Sequence, residues 1–453
     1  MDDYQPIPCF KAYDVRGQVP QELNVDLAYR IGRAFVKFLD AKTVVVGRDI
    51  RATGSELSLA LAKGLTDGGA NVFDIGLCGT EMVYFATSHL QAGGGIMITA
   101  SHNPPEYNGM KFVREESRPI SSESGMKEIE RMASLNRFDP IGEKGVMQFV
   151  DIDEAFVRHI LSVVDVSALS SYKVVVNGGN GCAGPILDRL EPYLPFELIK
   201  IHHEPDSTFP HGVPNPFLIE NRAPTITAVQ QNHADIGVAW DGDFDRCFIF
   251  DEKGNFIEGY YIVGFLAEAQ LDIHPGATII HDPRLIWNTI ELVEERGGKP
   301  KMCKVGHSFI KEMMRNEKAV YGGEMSAHHY FKDFFYSDSG MIPWLLILEI
   351  MSQEKKPLSQ LVEERIRKFP VSGEINKCVK NPDEVLARIQ RYYENEHPKV
   401  DRVDGLSLEF PEWRVNIRTS NTEPILRMNI ETRGNQELVQ AKVEEVVGII
   451  ENS

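Results

Sequence analysis

Apolar residues recur along this chain with two different periods, and the alternation between those periods predicts its architecture. After Asn24, a residue type that caps helices, Leu27, Ile31, Phe35 and Phe38 fall on one helical face. The run Thr43-Val44-Val45-Val46 then has the short, β-branched character of a buried strand. A second helix carries Leu57, Leu61 and Leu65, residues 71–75 read as the next strand, and residues 95–99 as a third. The rhythm restarts at residues 173–176, continues through a strand at 236–240, and restarts again at 278–281. Strand and helix in alternation imply layered α/β domains. The last part of the chain differs. Residues 406–410, 413–417 and 425–430 are closely spaced strands, predicted to be antiparallel, and a helix with Val439, Val443, Val446 and Ile450 on one face follows them. The pattern therefore predicts three similar α/β domains and a smaller C-terminal α+β domain, divided as 1–148, 149–252, 253–367 and 368–453.

Composition narrows the function classes. Of 453 residues, 42% are apolar and 25% charged, which suits several buried cores. Lys and Arg total 48 against 66 for Asp and Glu, a formal charge of −18 that disfavours nucleic acid and anionic membrane as partners. An anionic ligand would need a local basic pocket. The longest apolar run, Trp344-Leu345-Leu346-Ile347-Leu348, stops at Glu349 and is too short to span a bilayer. Met1-Asp2-Asp3-Tyr4 lacks the basic and apolar regions of a secretory signal. No pair among Cys9, Cys78, Cys182, Cys247, Cys303 and Cys378 has CxxC spacing, so reduced thiols and a cytoplasmic location are expected.

Four strings carry chemistry. Thr99-Ala100-Ser101-His102-Asn103-Pro104 follows a buried strand, where α/β proteins place reactive loops. Ser101 is outside a G-x-S-x-G elbow, so its residues alone allow either a nucleophile or a polar turn. Asp241-Gly242-Asp243-Phe244-Asp245-Arg246 sets three carboxylates at alternate positions, which fits a hard cation or a solvated acidic turn. An EF-hand is rejected, because Arg246 stands at the sixth position, where glycine is needed. Gly323-Glu324-Met325-Ser326-Ala327-His328 would present a carboxylate and a hydroxyl to one ligand if its backbone were extended. Arg418-Thr419-Ser420-Asn421-Thr422-Glu423-Pro424 is a hairpin turn or an anion cradle.

Together these strings resemble the signatures of the α-D-phosphohexomutases. Those signatures are T-A-S-H-N-P followed by Y-N-G-x-K, a D-G-D-x-D-R metal loop, a G-E-M-S sugar loop and an R-x-S-N-T-E-P phosphate loop. Phe10-Lys11-Ala12-Tyr13-Asp14-Val15-Arg16-Gly17 resembles an N-terminal motif of the same family, with Lys11 where arginine is common. The resemblance implies four domains around a central cleft and a phosphoryl group carried on Ser101. Asp241, Asp243, Asp245 and Ser101 would hold Mg²⁺, with Arg246 beside them. Lys111, His307 and His328 would be the acid/base candidates. Tyr13, Arg16, Arg284, Glu324 and Ser326 would bind substrate, and Arg418, Ser420, Asn421 and Thr422 its phosphate. A lysine serves as acid or base at neutral pH if cations or burial lower its pKa. Met325 resembles the phosphomannomutase/phosphoglucomutase branch. The implied reaction interconverts hexose 1-phosphate and hexose 6-phosphate, with mannose phosphates first and glucose phosphates as the alternative. A hexose 1,6-bisphosphate would be intermediate and activator, and the protein would be a monomer or homodimer.

One motif competes. Gly179, Gly181 and Gly184 form G-x-G-x-x-G after the strand at 173–176, ahead of a helix, a strand at 196–201 and the acidic Glu204. That is the context of a dinucleotide fingerprint. The four signatures outweigh it, and the glycines are expected to allow a tight strand–helix turn. A phosphosugar-binding protein without catalysis is the other reading, disfavoured because nucleophile, carboxylates and bases are all present.

Overall fold

The computed structural model describes residues 4–140, 142–419 and 425–451. The chain divides into two compact units, Met1–Phe256 with His328–Glu354, and Ile257–Ala327 with Lys355–Ser453.

The first unit is built on two mixed sheets. In one, strands β1 (Asp14–Gln18), β2 (Thr43–Arg48), β3 (Asn71–Leu77), β4 (Gly94–Ile98), β5 (Tyr107–Arg114) and β6 (Met147–Phe149) are ordered β1-β5-β4-β2-β3-β6. β2, β3, β4 and β6 are parallel, whereas β5 runs antiparallel to both β4 and β1. Helix α1 (Val25–Leu39) forms where predicted, with the Leu27 amide donating to Asn24 Oδ1 at 3.0 Å. Leu27, Ile31 and Phe35 are buried, and Phe38 packs at the margin of the same core. Helix α2 (Gly54–Asp67) buries Leu57, Leu61 and Leu65, and α3 (Thr80–His89) follows β3. In the second sheet β7 (Lys173–Asn177), β8 (Glu197–Ile201), β9 (Ile236–Trp240) and β10 (Cys247–Phe250) take the order β10-β9-β7-β8. β7 is parallel to β8 and β9, and β10 folds back antiparallel on β9. A hairpin of His329–Phe331 and Ser337–Asp338 completes the unit, with the Trp240 indole donating to the Gly340 carbonyl at 2.9 Å.

In the second unit, Thr278–His281 is parallel to Lys299–Met302 and to Tyr321–Gly323. Ile375–Cys378, Ile425–Thr432, Trp413–Thr419, Leu406–Glu409 and Lys399–Asp401 lie side by side in that order, every pair antiparallel. The helix Gln436–Glu451 buries Val446 and Ile450 in this sheet's core, with Val443 partly buried against it, and buries Val439 as well. Buried Glu431 receives the Tyr260 hydroxyl at 2.5 Å and the Ile286 amide at 2.9 Å, while Arg414 donates to the carbonyls of Pro283 and Arg284. These bonds hold the loop that carries Arg284. Among the described residues no helix is long and apolar enough to cross a membrane.

Candidate active site

Ser101 stands where β4 ends. The Thr99 amide still bonds the Gly109 carbonyl, and the Thr99 hydroxyl then accepts the Ser101 amide at 2.8 Å. The chain turns sharply there. Ser101 has φ of 50°, a left-handed conformation that costs an L-residue about 1–2 kcal/mol. Buried to 2% exposure, its Oγ donates to Asp241 Oδ2 at 2.8 Å and lies 3.0 Å from His102 Nδ1. Arg246 Nη2 donates to the same Nδ1 at 2.6 Å, which assigns the imidazole proton to Nε2. Burial, followed by the Arg246 and Arg16 charges, holds His102 well below the usual histidine range, so it is neutral at pH 7.

The carboxylates come from the turn between β9 and β10. Asp241, Asp243 and Asp245 are buried and bring ligand oxygens within 4.8 Å of one another. Their Oδ2 atoms are occupied. Arg246 Nε reaches Asp241 at 2.8 Å, Thr80 Oγ1 donates to Asp243 at 2.5 Å, and Lys111 Nζ bridges Asp243 and Asp245 at 2.6 and 2.5 Å. All three Oδ1 atoms are buried with no hydrogen-bond partner. Three orphaned carboxylate oxygens beside a serine hydroxyl are the oxygen-only donor set of a hard divalent cation, so these residues fit Mg²⁺.

The electrostatics of Lys111 reverse an expectation. Burial does push its pKa down, but the Asp243 and Asp245 charges outweigh burial and hold it above the ordinary lysine value. The condition for a neutral lysine base is therefore not met, and Lys111 is held as an ammonium between the two carboxylates. Burial, followed by the Asp243 charge, pushes Asp245 above its ordinary value. Burial acts on Asp243 in the same direction, yet Lys111 and Thr80 overcome it and hold Asp243 well below the carboxylate range.

Strand pairing delivers the remaining groups of this unit. Asp14 lies opposite Lys111 and Arg16 opposite Gly109. Arg16 donates to Asp14 Oδ2 and to Asn103 Oδ1, both at 2.7 Å. Tyr13, half-buried, immediately precedes β1. His328 Nδ1 is 3.0 Å from Asp338 Oδ2, and Asp245, His328 and Asp338 form a second group with ligand spacing. His329 is buried, and burial pushes its pKa down to about 3.

The second unit holds the other set. The Glu324 carbonyl accepts the Ala327 amide at 3.0 Å, so residues 324–327 form a turn and not the extended backbone that the sequence suggested. Convergence is achieved differently. Buried Arg284 is gripped by Asp282 Oδ2 at 2.7 Å, donates to Ser326 Oγ at 3.2 Å and lies 3.7 Å from Glu324 Oε1. The Gly306 amide donates to Glu324 Oε1 at 3.1 Å, and His307 opens the helix that follows. Arg418 is the penultimate residue of the strand Trp413–Thr419 and donates to Glu374 at 3.2 Å. Arg427 and Arg284 lie 3.6 and 3.8 Å from the same carboxylate. Burial and then the Arg284 charge lower the Arg418 pKa. Ser420, Asn421 and Thr422 lie outside the described residues.

The glycines of the competing motif have a packing role. A Cβ on Gly181 would sit 2.7 Å from the Gly242 carbonyl oxygen, and the Cys182 amide bonds that same carbonyl. A Cβ on Gly242 would in turn sit 2.6 Å from the Ser101 carbonyl oxygen. Three loops thus stack backbone to backbone, and the glycine-rich turn supports the carboxylate loop. Sequence reasoning missed Thr80, which gave no signal beyond its position after a glycine, and Arg51, whose guanidinium meets the Ser101 loop.

Comparison with known proteins gives a consistent result. Family profiles described as phosphoglucomutase/phosphomannomutase match along the chain: α/β/α domain I at residues 8–139, domain II at 154–254, domain III at 258–369 and the C-terminal domain at 374–449. The chain is similar to a phosphomannomutase of Escherichia coli strain K12, 53% identical over 98% of this chain and 99% of that one. It is similar also to a protein of Xanthomonas campestris named phosphohexose mutases, at 54% identity over 98% and 99% of the two chains. Among solved structures it resembles a family protein from Burkholderia thailandensis, with a TM-score of 0.87 and 31% identity over 98% of this chain and 97% of that one.

Proposed function

This chain belongs to the phosphoglucomutase/phosphomannomutase family and is a mutase, an isomerase by class; from that premise we propose that it interconverts mannose 1-phosphate and mannose 6-phosphate through a phosphoserine at Ser101. One observation carries this reading: Ser101 Oγ, on a strained turn, donates directly into a buried cluster of three carboxylates that each keep an unpartnered oxygen. The relatives' names supply the choice of mannose.

Phosphorylated Ser101 is the donor. A free sugar hydroxyl attacks its phosphorus, the bond from phosphorus to Ser101 Oγ breaks, and a bond to the sugar oxygen forms. The hydroxyl proton leaves to a base, and Ser101 Oγ recovers a proton. The hexose 1,6-bisphosphate so formed reverses its orientation and returns its other phosphoryl group to Ser101; added bisphosphate restores the phosphoserine, which makes it the activator. Asp241, Asp243, Asp245 and an oxygen on Ser101 would hold Mg²⁺, which supplies positive charge to a phosphoryl group in transfer. Lys111, charged between Asp243 and Asp245 on the strand beside the Ser101 loop, is the acid candidate. His328, oriented at Nδ1 by Asp338, takes a proton, and His307 is the further candidate. Arg246 and Arg16 place positive charge about the Ser101 loop, and Tyr13 lies at its edge. Glu324 and Ser326, joined through Arg284, bind sugar hydroxyls. Arg418 binds the phosphate that is not transferred, together with Ser420, Asn421 and Thr422. We place the domain limits at 1–148, 149–252, 253–367 and 368–453 and the protein in the cytoplasm, as monomer or homodimer.

Phosphorus NMR with Mg²⁺ and a trace of glucose 1,6-bisphosphate tests the substrate. Conversion of mannose 1-phosphate to its 6-phosphate faster than glucose 1-phosphate supports the proposal. A rate ratio favouring glucose overturns the choice of sugar, and conversion of neither overturns the reaction.

A further inference from the structure

Arg51 makes no hydrogen bond to the Ser101 hydroxyl or to the Asp241, Asp243 and Asp245 carboxylates, yet its side chain is committed to the backbone of the Ser101 loop. Four terminal N–H groups meet four hydrogen-bond acceptors. Nη1 donates to the carbonyls of Pro104 and Tyr107, both at 2.8 Å, and Nη2 to those of Ser101 and Asn103, at 3.0 and 2.6 Å. The guanidinium is 3% exposed and lies over the Phe209 ring, 5.7 Å from its centroid. Its own backbone is fixed as well. The Arg51 amide donates to Asp49 Oδ1 at 3.0 Å, Asp49 Oδ2 lies 3.5 Å from Arg51 Nε, and the Asp49 amide bonds the Ile98 carbonyl where β4 ends.

We propose that Arg51 is a positioning residue of the phosphoryl-transfer reaction, holding Ser101 in its left-handed conformation by cross-linking the carbonyls of residues 101, 103, 104 and 107. The inference rests on the phosphoserine reading above. The loop makes two bonds of its own, from the Asn103 amide to the Ala100 carbonyl and from the Tyr107 amide to the Pro104 carbonyl, but Pro104 and Pro105 carry no amide hydrogen, and the four carbonyls facing the guanidinium include that of Ser101 itself. A planar fork with separate donor directions suits four carbonyls, whereas a lysine ammonium offers three donors from a single atom. The Ser101 carbonyl is confined from the other side by the Gly242 backbone. Without the guanidinium, the Ser101 amide and hydroxyl keep their bonds to Thr99 and Asp241, but the carbonyl side of the left-handed turn loses its donors, which allows Oγ to shift relative to Asp241. Displacement of a reacting atom by about 1 Å costs on the order of 100-fold in rate.

The test compares wild type with Arg51→Gln, which removes the charge, and Arg51→Lys, which keeps it without the fork; the second variant carries the test if the first does not fold. Arg33→Lys is the control, because Arg33 is a buried arginine that donates to the Asp139 carbonyl, outside the machinery described above. Each protein is incubated with glucose 1,6-bisphosphate, phosphate on Ser101 is measured by mass spectrometry, and transfer to mannose 1-phosphate is followed in a single turnover. We expect transfer in Arg51→Lys to be slower by roughly 100-fold, with the Michaelis constant unchanged. Arg33→Lys should lose thermal stability without that loss of rate. Transfer in Arg51→Lys within about twofold of wild type, or kcat and KM changing together as in a general loss of stability, overturns the assignment. Wild-type protein that takes no phosphate on Ser101 overturns the phosphoserine reading itself.

Discussion

Replacing Lys111 by methionine keeps the volume of the side chain and removes the only charge that bridges Asp243 and Asp245 among the described residues. In the native arrangement the ammonium lies 2.6 and 2.5 Å from two carboxylates of a cluster whose third member, Asp241, is paired with Arg246. The ammonium is 6% exposed, so solvent screens these contacts little. Removing one partner from a buried ion pair costs about 3–5 kcal/mol, because the charge left behind keeps its desolvation penalty. Lys111→Met should therefore lose about that much stability near pH 8 in the presence of a chelator. Two treatments should recover much of the loss. Excess Mg²⁺, held as proposed by the unpartnered Oδ1 atoms of the same carboxylates, would restore positive charge to the cluster and stabilise the folded chain. Lowering the pH lets Asp245, which burial and the Asp243 charge already raise and which Lys111 no longer holds down, take a proton more readily than in the native protein. Urea unfolding under the three conditions gives the answer. A deficit below about 1 kcal/mol with chelator, or one that neither Mg²⁺ nor acid reduces, would refute the account of Lys111 as a counter-charge.

Other predictions follow from individual groups. Ser101→Ala should fold and lose turnover by several orders of magnitude, measured by phosphorus NMR; near-normal turnover removes the covalent step. Arg418→Ala should raise the Michaelis constant for sugar phosphate roughly 10- to 100-fold, the equivalent of about 1.5–3 kcal/mol for a charged hydrogen bond, and an unchanged constant removes Arg418 from the site. His329 has a folded pKa of about 3 against an ordinary 6.5, so the stability it confers is complete above pH 6.5 and is lost as pH falls towards 3. His329→Gln should flatten that acid limb, which amounts to about 5 kcal/mol at most, and urea titrations from pH 7 to 4 that superimpose on wild type after scaling would contradict it. Asp49 is raised by burial to about 6, so its ionisation destabilises the fold as pH rises from 3.8 towards 6. Asp49→Asn should gain on wild type over that interval by about 3 kcal/mol; a constant difference would show that Asp49 does not titrate there.

The layered fold was legible because its signals are local. The helical face of Leu27, Ile31 and Phe35 and the strands at 43–46 and 236–240 carry their burial in their own spacing. β5 was not read, because Tyr-Asn-Gly-Met-Lys looks like the end of a loop until β1 and β4 are known to flank it. That strand is what carries Lys111 to the carboxylates. Candidate residues could be proposed from motif strings, but their electrostatics could not. A lysine's pKa depends on which charges the fold sets beside it, and the sequence separates Lys111 from Asp243 by 132 positions. The turn at 324–327 was misjudged for a similar reason, since Glu324 and Ser326 converge through Arg284 and not through strand geometry. Arg51 left no usable signal, because an arginine just past a strand looks the same whether solvent or a catalytic loop receives its donors.

The most direct measurement loads Ser101 with labelled phosphate from glucose 1,6-bisphosphate and chases the purified phosphoprotein with unlabelled mannose 1-phosphate in a single turnover. The account predicts that the label leaves Ser101 and appears on the sugar, as bisphosphate and then as mannose 6-phosphate, at least as fast as steady-state turnover. Label that stays on the protein, or that appears as inorganic phosphate without entering the sugar, would contradict it.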